Sequence, residues 1–274
     1  MSPLRREGQA VFGFVERNAN LIKRYWAWEV VWLTYSVANA LSVTFIGAGM
    51  ERISGQAMDT DYLILYLLIG TLVWGYLSVV FQIVSETVAW EQWEGTIEYT
   101  LMAPISRTTH LIGVTLFSLL YGFVQTGIIL AAVVSFFQLD LSGANLTGAA
   151  LVLLAASVSF SALGVIGAVL PLLFPERGTQ AVHVIQSVLL VVSGVYYPVS
   201  VLPPLLRGMS HCSPATYVLE GMRESLLKGT PTLELWPCIA ALLVLGAVTM
   251  PVGVWLFSRA ERYARRTGRL KRSG

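Results

Sequence analysis

The chain has 274 residues, of which 55% are hydrophobic and only 12% are charged. Soluble domains carry about 25% charged residues, so this surplus of apolar side chains excludes a water-soluble fold and predicts an integral membrane protein. The two cysteines supply neither a disulfide framework nor the ligand spacing of a metal site, and we expect no bound metal.

The N-terminal segment 8–26 predicts an amphipathic helix that lies in the cytoplasmic membrane interface. Apolar residues such as Phe14 and Trp26 share one arc of the helical wheel, and charged residues such as Arg17 and Lys23 share the opposite arc. Such a helix lies along the interface plane with its apolar face in the lipid.

Six apolar runs are long enough, or nearly long enough, to cross the hydrocarbon core, which takes about 20 residues. They predict an all-α integral membrane protein with six transmembrane helices in one domain, residues 1–274. We expect Pro171 to break the fourth helix near its end. The predicted spans cover residues 27–50, 62–85, 111–137, 146–173, 181–197 and 236–257.

The basic residues predict the orientation of these spans. Both the N-terminal arm, with Arg5 and Arg6, and the C-terminal tail, with Arg265 and Arg266, carry clusters of positive charge. Cytoplasmic segments carry an excess of Lys and Arg, so both termini are expected in the cytoplasm, which requires an even number of spans.

The segment 86–104, here called the acidic connector, joins spans 2 and 3 on the expected cytoplasmic side. Its periodicity predicts a short amphipathic helix with an apolar edge that carries Trp90 and Trp93 and an adjacent acidic edge. One interpretation is a solvated interface helix anchored by its tryptophans; the other is a docking surface for a soluble partner with a basic face. Anionic headgroups repel carboxylates, which favours the partner. The acidic edge consists of Glu91, Glu94 and Glu98.

The segment 199–235, here called the outer connector, joins spans 5 and 6 on the opposite side. It is too apolar for an open loop and predicts two short re-entrant helices that dip into the outer leaflet. Ser213-Pro214 is a favourable helix start. We expect Arg223 to be held by the carboxylates of Glu220 and Glu224 on the same helix.

Each connector contains a spaced motif. The acidic connector has Glu94-Gly95-Thr96-Ile97-Glu98, then Leu101, then Pro104-Ile105-Ser106-Arg107, and the outer connector has Leu202-Pro203, Pro214, Tyr217 and Arg223. These motifs resemble the E-x-G-T-hydrophobic-E…L…P-hydrophobic-S-R pattern and the L-P…P…Y…R signature of the permeases of ABC-2 type transporters. The resemblance implies that residues 86–104 form a cytoplasmic coupling helix, which seats in a cleft of an ATPase subunit. The coupling residues so implied are Glu91, Glu94, Gly95, Thr96, Glu98, Leu101, Pro104 and Arg107, and the outer motif consists of Leu202, Pro203, Pro214, Tyr217 and Arg223.

The energy source follows from what the chain lacks. The sequence contains no G-x-x-x-x-G-K-[ST] motif, so we expect no ATP hydrolysis by a phosphate-binding loop and no cofactor on this chain. The resemblance implies a non-catalytic permease whose ATP and magnesium are bound by a separate ABC ATPase in two copies. The other expected partners are a second permease copy, forming a homodimer, and membrane lipids, without nucleic acid.

Polar residues within the spans are candidates for a transport pathway, which the resemblance assigns to spans 1, 2 and 5. An apolar pathway with few polar groups suits an amphipathic or hydrophobic compound exported across the cell membrane. One alternative is export of a polysaccharide or lipid-linked glycan. The other is an ion-driven carrier, which the lack of mid-span charges in spans 2–6 disfavours. The candidate lining residues are Asn39, Gln82, Gln125 and Gln186.

Other residues in the spans predict packing. Gly70 and Gly75 in span 2 and Gly164 and Gly167 in span 4 would permit close contacts between helices. His183 could line the pathway, but packing with a hydrogen bond is the favoured interpretation.

Overall fold

The computed structural model describes residues 3–55, 57, 59–103, 105–174 and 177–267, and these residues contain helices but no strand. The predicted all-α fold is therefore confirmed. A single 3₁₀ turn, Val199–Val201, precedes α9. The α-helices in chain order are α1 (Pro3–Arg24), α2 (Trp26–Ser54), α3 (Thr60–Glu94), α4 (Ile97–Met102), α5 (Arg107–Phe137), α6 (Leu146–Gly167), α7 (Val169–Leu173), α8 (Gly178–Val192), α9 (Pro204–Ser210), α10 (Pro214–Leu227) and α11 (Trp236–Arg266).

Five stretches of the described helices are long and apolar enough to cross a membrane: Trp26–Ser54, Thr60–Thr87, Thr108–Phe137, Leu146–Leu173 and Trp236–Arg266. The fifth predicted span, 181–197, corresponds to the shorter helix α8 of 15 residues. At about 1.5 Å per residue, α8 covers about 22 Å of a hydrocarbon core about 30 Å thick.

The C-terminal end of α8 differs from the prediction because of one glycine. Gly194 adopts a left-handed backbone conformation with φ 68°, which ends helices and which other residues adopt only with strain. The residues from Ser193 to Val195 are buried, so the chain turns inward here and does not continue to 197 as a helix.

The acidic connector is not one helix, and this prediction was wrong. Nothing between residues 85 and 94 ends a helix, so α3 continues from span 2 to Glu94. Gly95, with φ 73°, makes the turn, and the six-residue helix α4 follows.

Span 4 is interrupted at Ala168, about one turn before Pro171. The reason is that Pro171 has no N–H to donate to a carbonyl of the preceding turn.

Helix α6 lies at the centre of the bundle, packed between α3 and α11. A Cβ added to Gly164 would lie 2.9 Å from the Cβ of Val84, and one added to Gly167 would lie 3.1 Å from the Cβ of Ser85. These two glycines therefore permit close contact between α6 and α3, as predicted from their place in span 4.

The connecting segments lie at the two ends of the bundle, as their polar and apolar contacts show. At one end, Asn145 donates from Nδ2 to the Thr230 carbonyl at 2.8 Å, so the α5–α6 loop lies against the outer connector. At the other end, Phe257 of α11 belongs to the same apolar cluster as Ile97 of α4 and Leu111 of α5. The acidic connector and the last turns of α11 therefore lie together.

Candidate functional site

Arg17 of α1 joins the N-terminal helix to the acidic connector. Its Nη1 donates to Glu91 Oε1 at 3.0 Å. Its Nη2 donates to Glu94 Oε2 and to Thr96 Oγ1, both at 3.2 Å. The planar guanidinium can satisfy several acceptors at once, so one side chain fixes both sides of the turn at Gly95. We call Arg17, Glu91, Glu94, Thr96 and His110 the α1–α3 junction.

Glu91 is the buried member of this junction, with 5% of its surface exposed. Thr100 Oγ1 also donates to its Oε1 at 3.3 Å, and His110 Nε2 lies 3.2 Å from the same oxygen without the alignment of a hydrogen bond. Burial alone would raise the pKa of Glu91, but the close approach of the His110 imidazole and the hydrogen bond and charge of Arg17 outweigh burial and hold the pKa below its ordinary value.

Helix α1 is also held against the first turns of α5. Glu7 accepts hydrogen bonds from the Ser106 N–H at 3.4 Å and from the Thr109 hydroxyl. Further along, the rings of Phe14 and His110 lie 4.7 Å apart. A Cβ on Gly113 would lie 2.7 Å from the Cβ of Phe14, so only glycine permits this approach without a shift.

The contacts of α1 change the interpretation of its two faces. The sequence placed Arg17 on the solvent side, whereas the structure places it against the acidic connector. A signal for this contact was present, because α1 is basic, the acidic connector is acidic, and both were expected at the same membrane surface. The sequence could not give the register of the two segments, which selects Arg17 from the five basic residues Arg5, Arg6, Arg17, Lys23 and Arg24.

The implied coupling residues fall into three groups. Glu91 is buried and bonded within the chain, so it offers no free acceptor to a partner. Glu94 is exposed, and Gly95 and Thr96 are half-buried at the turn. The remaining implied residues lie outside what the structure describes, either entirely or in their side chains: Pro104, Glu98, Leu101 and Arg107.

An exposed apolar edge accompanies Glu94. Trp93 is 70% exposed, Tyr99 78% and Met102 84%. Ile97 of α4 is instead buried against the bundle. The accessible surface of the acidic connector is therefore mainly aromatic and apolar, with Glu94 as its acidic member among the described side chains.

The outer motif is held together by Arg223, but not through the expected carboxylates. Its Nη2 donates to the Val195 carbonyl at 2.7 Å, and both Nη atoms lie 3.2 Å from the Gly194 carbonyl. The guanidinium lies 3.7 Å from the centre of the Tyr66 ring, a cation–π contact. Glu224 pairs with Lys228 instead, at 2.6 Å.

The other outer-motif residues shape the two short helices. Pro214 is the first residue of α10 after Ser213, as predicted, and Pro203 precedes α9. Tyr217 donates from its hydroxyl to the His211 carbonyl at 2.9 Å, while Leu202 is buried. Helix α10 of the outer connector packs against α3 and α6.

Three of the four candidate pathway residues line one cavity. Asn39 of α2, Gln82 of α3 and Gln125 of α5 border a space of about 430 Å³. Gln186 of α8 is not part of this lining, but it accepts a hydrogen bond from Gln82 Nε2 at 3.2 Å. The cavity thus lies among the first three predicted spans, whereas the expectation was spans 1, 2 and 5.

His183 joins a small polar group between α3 and α8. Its Nδ1 lies 3.5 Å from Gln82 Nε2, and its Nε2 lies 3.5 Å from Glu86 Oε1. Glu86 therefore faces α8 and takes no part in the α1–α3 junction, although the sequence grouped it with the acidic connector.

Comparison with known proteins gives a consistent result. Residues 14–227 match the sequence profile of the family described as ABC-2 type transporter. The inner membrane transport permease YadH of Escherichia coli strain K12 is 24% identical over 221 residues, which cover 75% of this chain and 82% of that protein. YadH of Shigella flexneri gives the same values. The matched range includes Arg17, the acidic connector and the outer motif.

Proposed function

Because this chain belongs to the ABC-2 type transporter family, we propose that it is the permease subunit of an ATP-driven exporter. The chain is a multi-pass membrane transport protein, and its family in general works with an ABC ATPase. In the proposed complex, two copies of this permease form a homodimer and each engages one of two ATPase subunits. ATP and magnesium are bound by the ATPase subunits.

The observation that carries the coupling mechanism is the continuity of α3. This helix has 35 residues, about 52 Å at about 1.5 Å per residue. Its last residue is Glu94, at the exposed surface of the acidic connector, and its middle turns carry Gln82 at the cavity. A displacement of the acidic connector is thus transmitted along one continuous helix to the proposed pathway.

The α1–α3 junction stabilises the end of α3 and the turn that follows it. Arg17 bonds to residues on both sides of the turn at Gly95, so the turn cannot open without losing these contacts. The docking surface for the ATPase consists of Glu94 and the exposed side chains of Trp93, Tyr99 and Met102. A basic rim around an apolar groove on the ATPase matches that surface.

In the proposed topology both termini are cytoplasmic, α8 is completed as a sixth crossing by the buried turn after Ser193, and the outer connector is re-entrant. The clustering of α4 with the end of α11 supports a common side for the acidic connector and the basic tail. Cytoplasmic segments carry an excess of Lys and Arg, which favours that side as the cytoplasmic one.

The proposed cargo is an amphipathic or hydrophobic compound. The described residues that line the cavity carry no formal charge at neutral pH, and a volume of about 430 Å³ falls within the range of about 300–1,000 Å³ that small-molecule sites occupy. This size favours a compact molecule over the alternative of a long polysaccharide or lipid-linked glycan chain.

The test is charge reversal on the acidic connector. The double variant Glu94→Lys, Glu98→Lys should insert and fold but lose ATP-dependent transport and co-purification of the ABC ATPase. The matched control is Glu234→Lys, an exposed residue at the other end of the bundle, which should retain both. Full transport by the double variant, or transport that needs a proton gradient but no ATPase, would contradict the proposal.

A further inference from the structure

The cavity among α2, α3 and α5 has the walls of a ligand site. Aromatic rings from all three helices line the cavity, and such rings provide a large apolar contact area with a specific geometry. It also contains polar groups at a depth where an unsatisfied polar atom is unfavourable. The aromatic lining consists of Trp32, Tyr35, Trp74, Tyr76 and Tyr121.

Two polar atoms in this lining are buried without a hydrogen-bond partner among the described residues: Ser78 Oγ and Gln125 Oε1. Several serine and threonine hydroxyls elsewhere in these helices donate to the carbonyl three or four residues earlier, as Ser118 does to Thr115 at 2.7 Å and Thr71 to Leu67 at 2.9 Å. Ser78 makes no such bond. Buried polar groups are paired in the great majority of cases, so each unpaired one calls for an explanation such as a ligand.

The hydrogen bonds around Gln125 define what a ligand must offer. The Ser36 hydroxyl donates to the Trp32 carbonyl at 2.9 Å, so Ser36 Oγ is left as an acceptor. Gln125 Nε2 donates to that oxygen at 3.4 Å. This fixes the orientation of the amide, and the unpaired atom is the carbonyl oxygen, which accepts hydrogen bonds only.

We propose that each chain binds one uncharged, drug-sized aromatic amphiphile in this cavity, through a hydrogen bond that the ligand donates to Gln125 Oε1. Ser78 supplies a second polar contact, and the aromatic rings enclose the apolar part of the ligand. The proposal rests on the exporter function proposed above and narrows its cargo to neutral hydrogen-bond donors. It also locates recognition within one protomer.

Gly75 provides a way to fill the cavity without disturbing the fold. It lines the cavity, and a Cβ added there meets no atom within 4 Å. Gly75→Leu therefore places a side chain in the cavity itself. Gly127→Leu is the matched control, because Gly127 on α5 is exposed, has equally open space at its Cβ and is not part of the lining.

The experiment measures binding of N-phenyl-1-naphthylamine, an uncharged aromatic amine with one N–H donor, to the full-length permease in lipid nanodiscs without ATPase. Saturable energy transfer from tryptophan to the probe is the readout. Two probes with the same ring skeleton serve as comparisons: 1-phenoxynaphthalene, in which an ether oxygen replaces the N–H, and 8-anilinonaphthalene-1-sulfonate, which adds a negative charge.

We expect saturable binding of the amine that Gly75→Leu abolishes and that Gly127→Leu leaves within twofold. Gln125→Leu should weaken the amine by about fivefold or more, the usual effect of one lost hydrogen bond, and should leave the weaker binding of the ether unchanged. The sulfonate should not bind. Comparing the three probes on the unaltered chain needs no variant and so does not depend on how any variant folds.

Equal affinity for the amine and the ether would overturn the proposal, as would binding that survives Gly75→Leu, because either result indicates simple partition into lipid or apolar surface. The outcome is separable from the coupling test. If the probes bind without selectivity but the variant Glu94→Lys, Glu98→Lys still loses ATP-dependent transport, only the proposed cavity site is wrong. If the probes bind as expected but that variant transports at the full rate, only the proposed coupling mechanism is wrong.

Discussion

At the scale of single residues, the structure explains why carboxylates occur at the proposed cytoplasmic surface, where Lys and Arg are usual. Glu91 is an internal partner of Arg17, and Glu94 is shared between Arg17 and the exposed surface. A carboxylate buried beside a guanidinium and an imidazole is stabilised in its charged form. The role of the Glu91 side chain is thus to hold α1, whereas the neighbouring Glu94 is exposed.

Arg17→Ala should therefore loosen α1. The substitution leaves Glu91 buried without its guanidinium, and we expect the free energy of local opening to fall by about 1–3 kcal/mol. Hydrogen exchange of the α1 backbone amides should accelerate accordingly, by roughly fivefold to a hundredfold. Lys23→Ala removes the same charge from an exposed position on the same helix and should leave exchange unchanged; equal effects of the two variants would contradict the role of Arg17.

The junction should also respond to acid. The folded-state pKa of Glu91 is below its ordinary value of 4.5, so the stability that it contributes is fully present above about that pH and is lost as the pH falls through the folded pKa. The Thr109 hydroxyl also lowers the pKa of Glu7, so the experiment compares two chains that both carry Glu7→Gln, one with Glu91 and one with Glu91→Gln. Adding Glu91→Gln should then remove the acid-induced rise in α1 hydrogen exchange; a rise that persists would assign the response to another group.

At the scale of secondary-structure elements, the main result is how α3 and the outer connector fit together. The short helix α8 ends at Val192, and Arg223 bonds to the carbonyls just beyond it. A cation beside the carbonyl end of a helix is favourable, and the bonds satisfy backbone acceptors that would otherwise be buried without partners. The outer connector is thus attached to α8 through backbone groups, which a sequence motif of side chains does not reveal.

Gly70 is what permits α3 to approach this turn. A Cβ at position 70 would lie 2.2 Å from the Val195 carbonyl oxygen, so Gly70→Ala must displace backbone, and we expect a loss of about 1–3 kcal/mol. Gly75→Ala, five residues further along the same helix, has open space at its Cβ and should be neutral or slightly stabilising. Thermal unfolding midpoints of the two purified variants test the difference, and equal midpoints would contradict it.

At the scale of the whole molecule, the connecting segments divide between the two ends of the bundle. Asn145 ties the α5–α6 loop to the outer connector, while α4 and α11 share an apolar cluster at the other end. This division agrees with alternating crossings of a membrane by successive helices.

The proposed orientation predicts which positions a membrane-impermeant thiol reagent reaches in intact cells. In a chain with Cys212 and Cys238 replaced by Ser, a cysteine at Ala57 should be labelled from outside. A cysteine at Arg177 should be labelled only after the cells are opened. Both positions are exposed in the structure, so accessibility depends on the side of the membrane, and the reverse pattern would overturn the orientation.

The predictions from the sequence were best where one physical property decides the outcome. The apolar runs from residues 27–50 and 111–137 became α2 and α5 with ends within about four residues, because a membrane helix satisfies its backbone internally and its length depends on apolar side chains. The acidic connector was predicted less well. Its two halves have helical periodicity, and the break depends on the left-handed conformation of Gly95, which glycine adopts without steric cost. Arg17 and the buried Ile97 hold the residues after this turn in place.

Composition and local pattern therefore determined that this chain is a helical membrane protein with an amphipathic first helix and an acidic segment between two spans, and the two motifs in it resemble those of ABC-2 type permeases. Only the tertiary structure decided which carboxylate is buried by Arg17, which carbonyls bind Arg223, and which three helices enclose the cavity. The physical reason is one of range. Hydrophobic periodicity acts over a few turns of one helix, whereas burial and hydrogen bonding depend on the register between helices that are far apart in the chain.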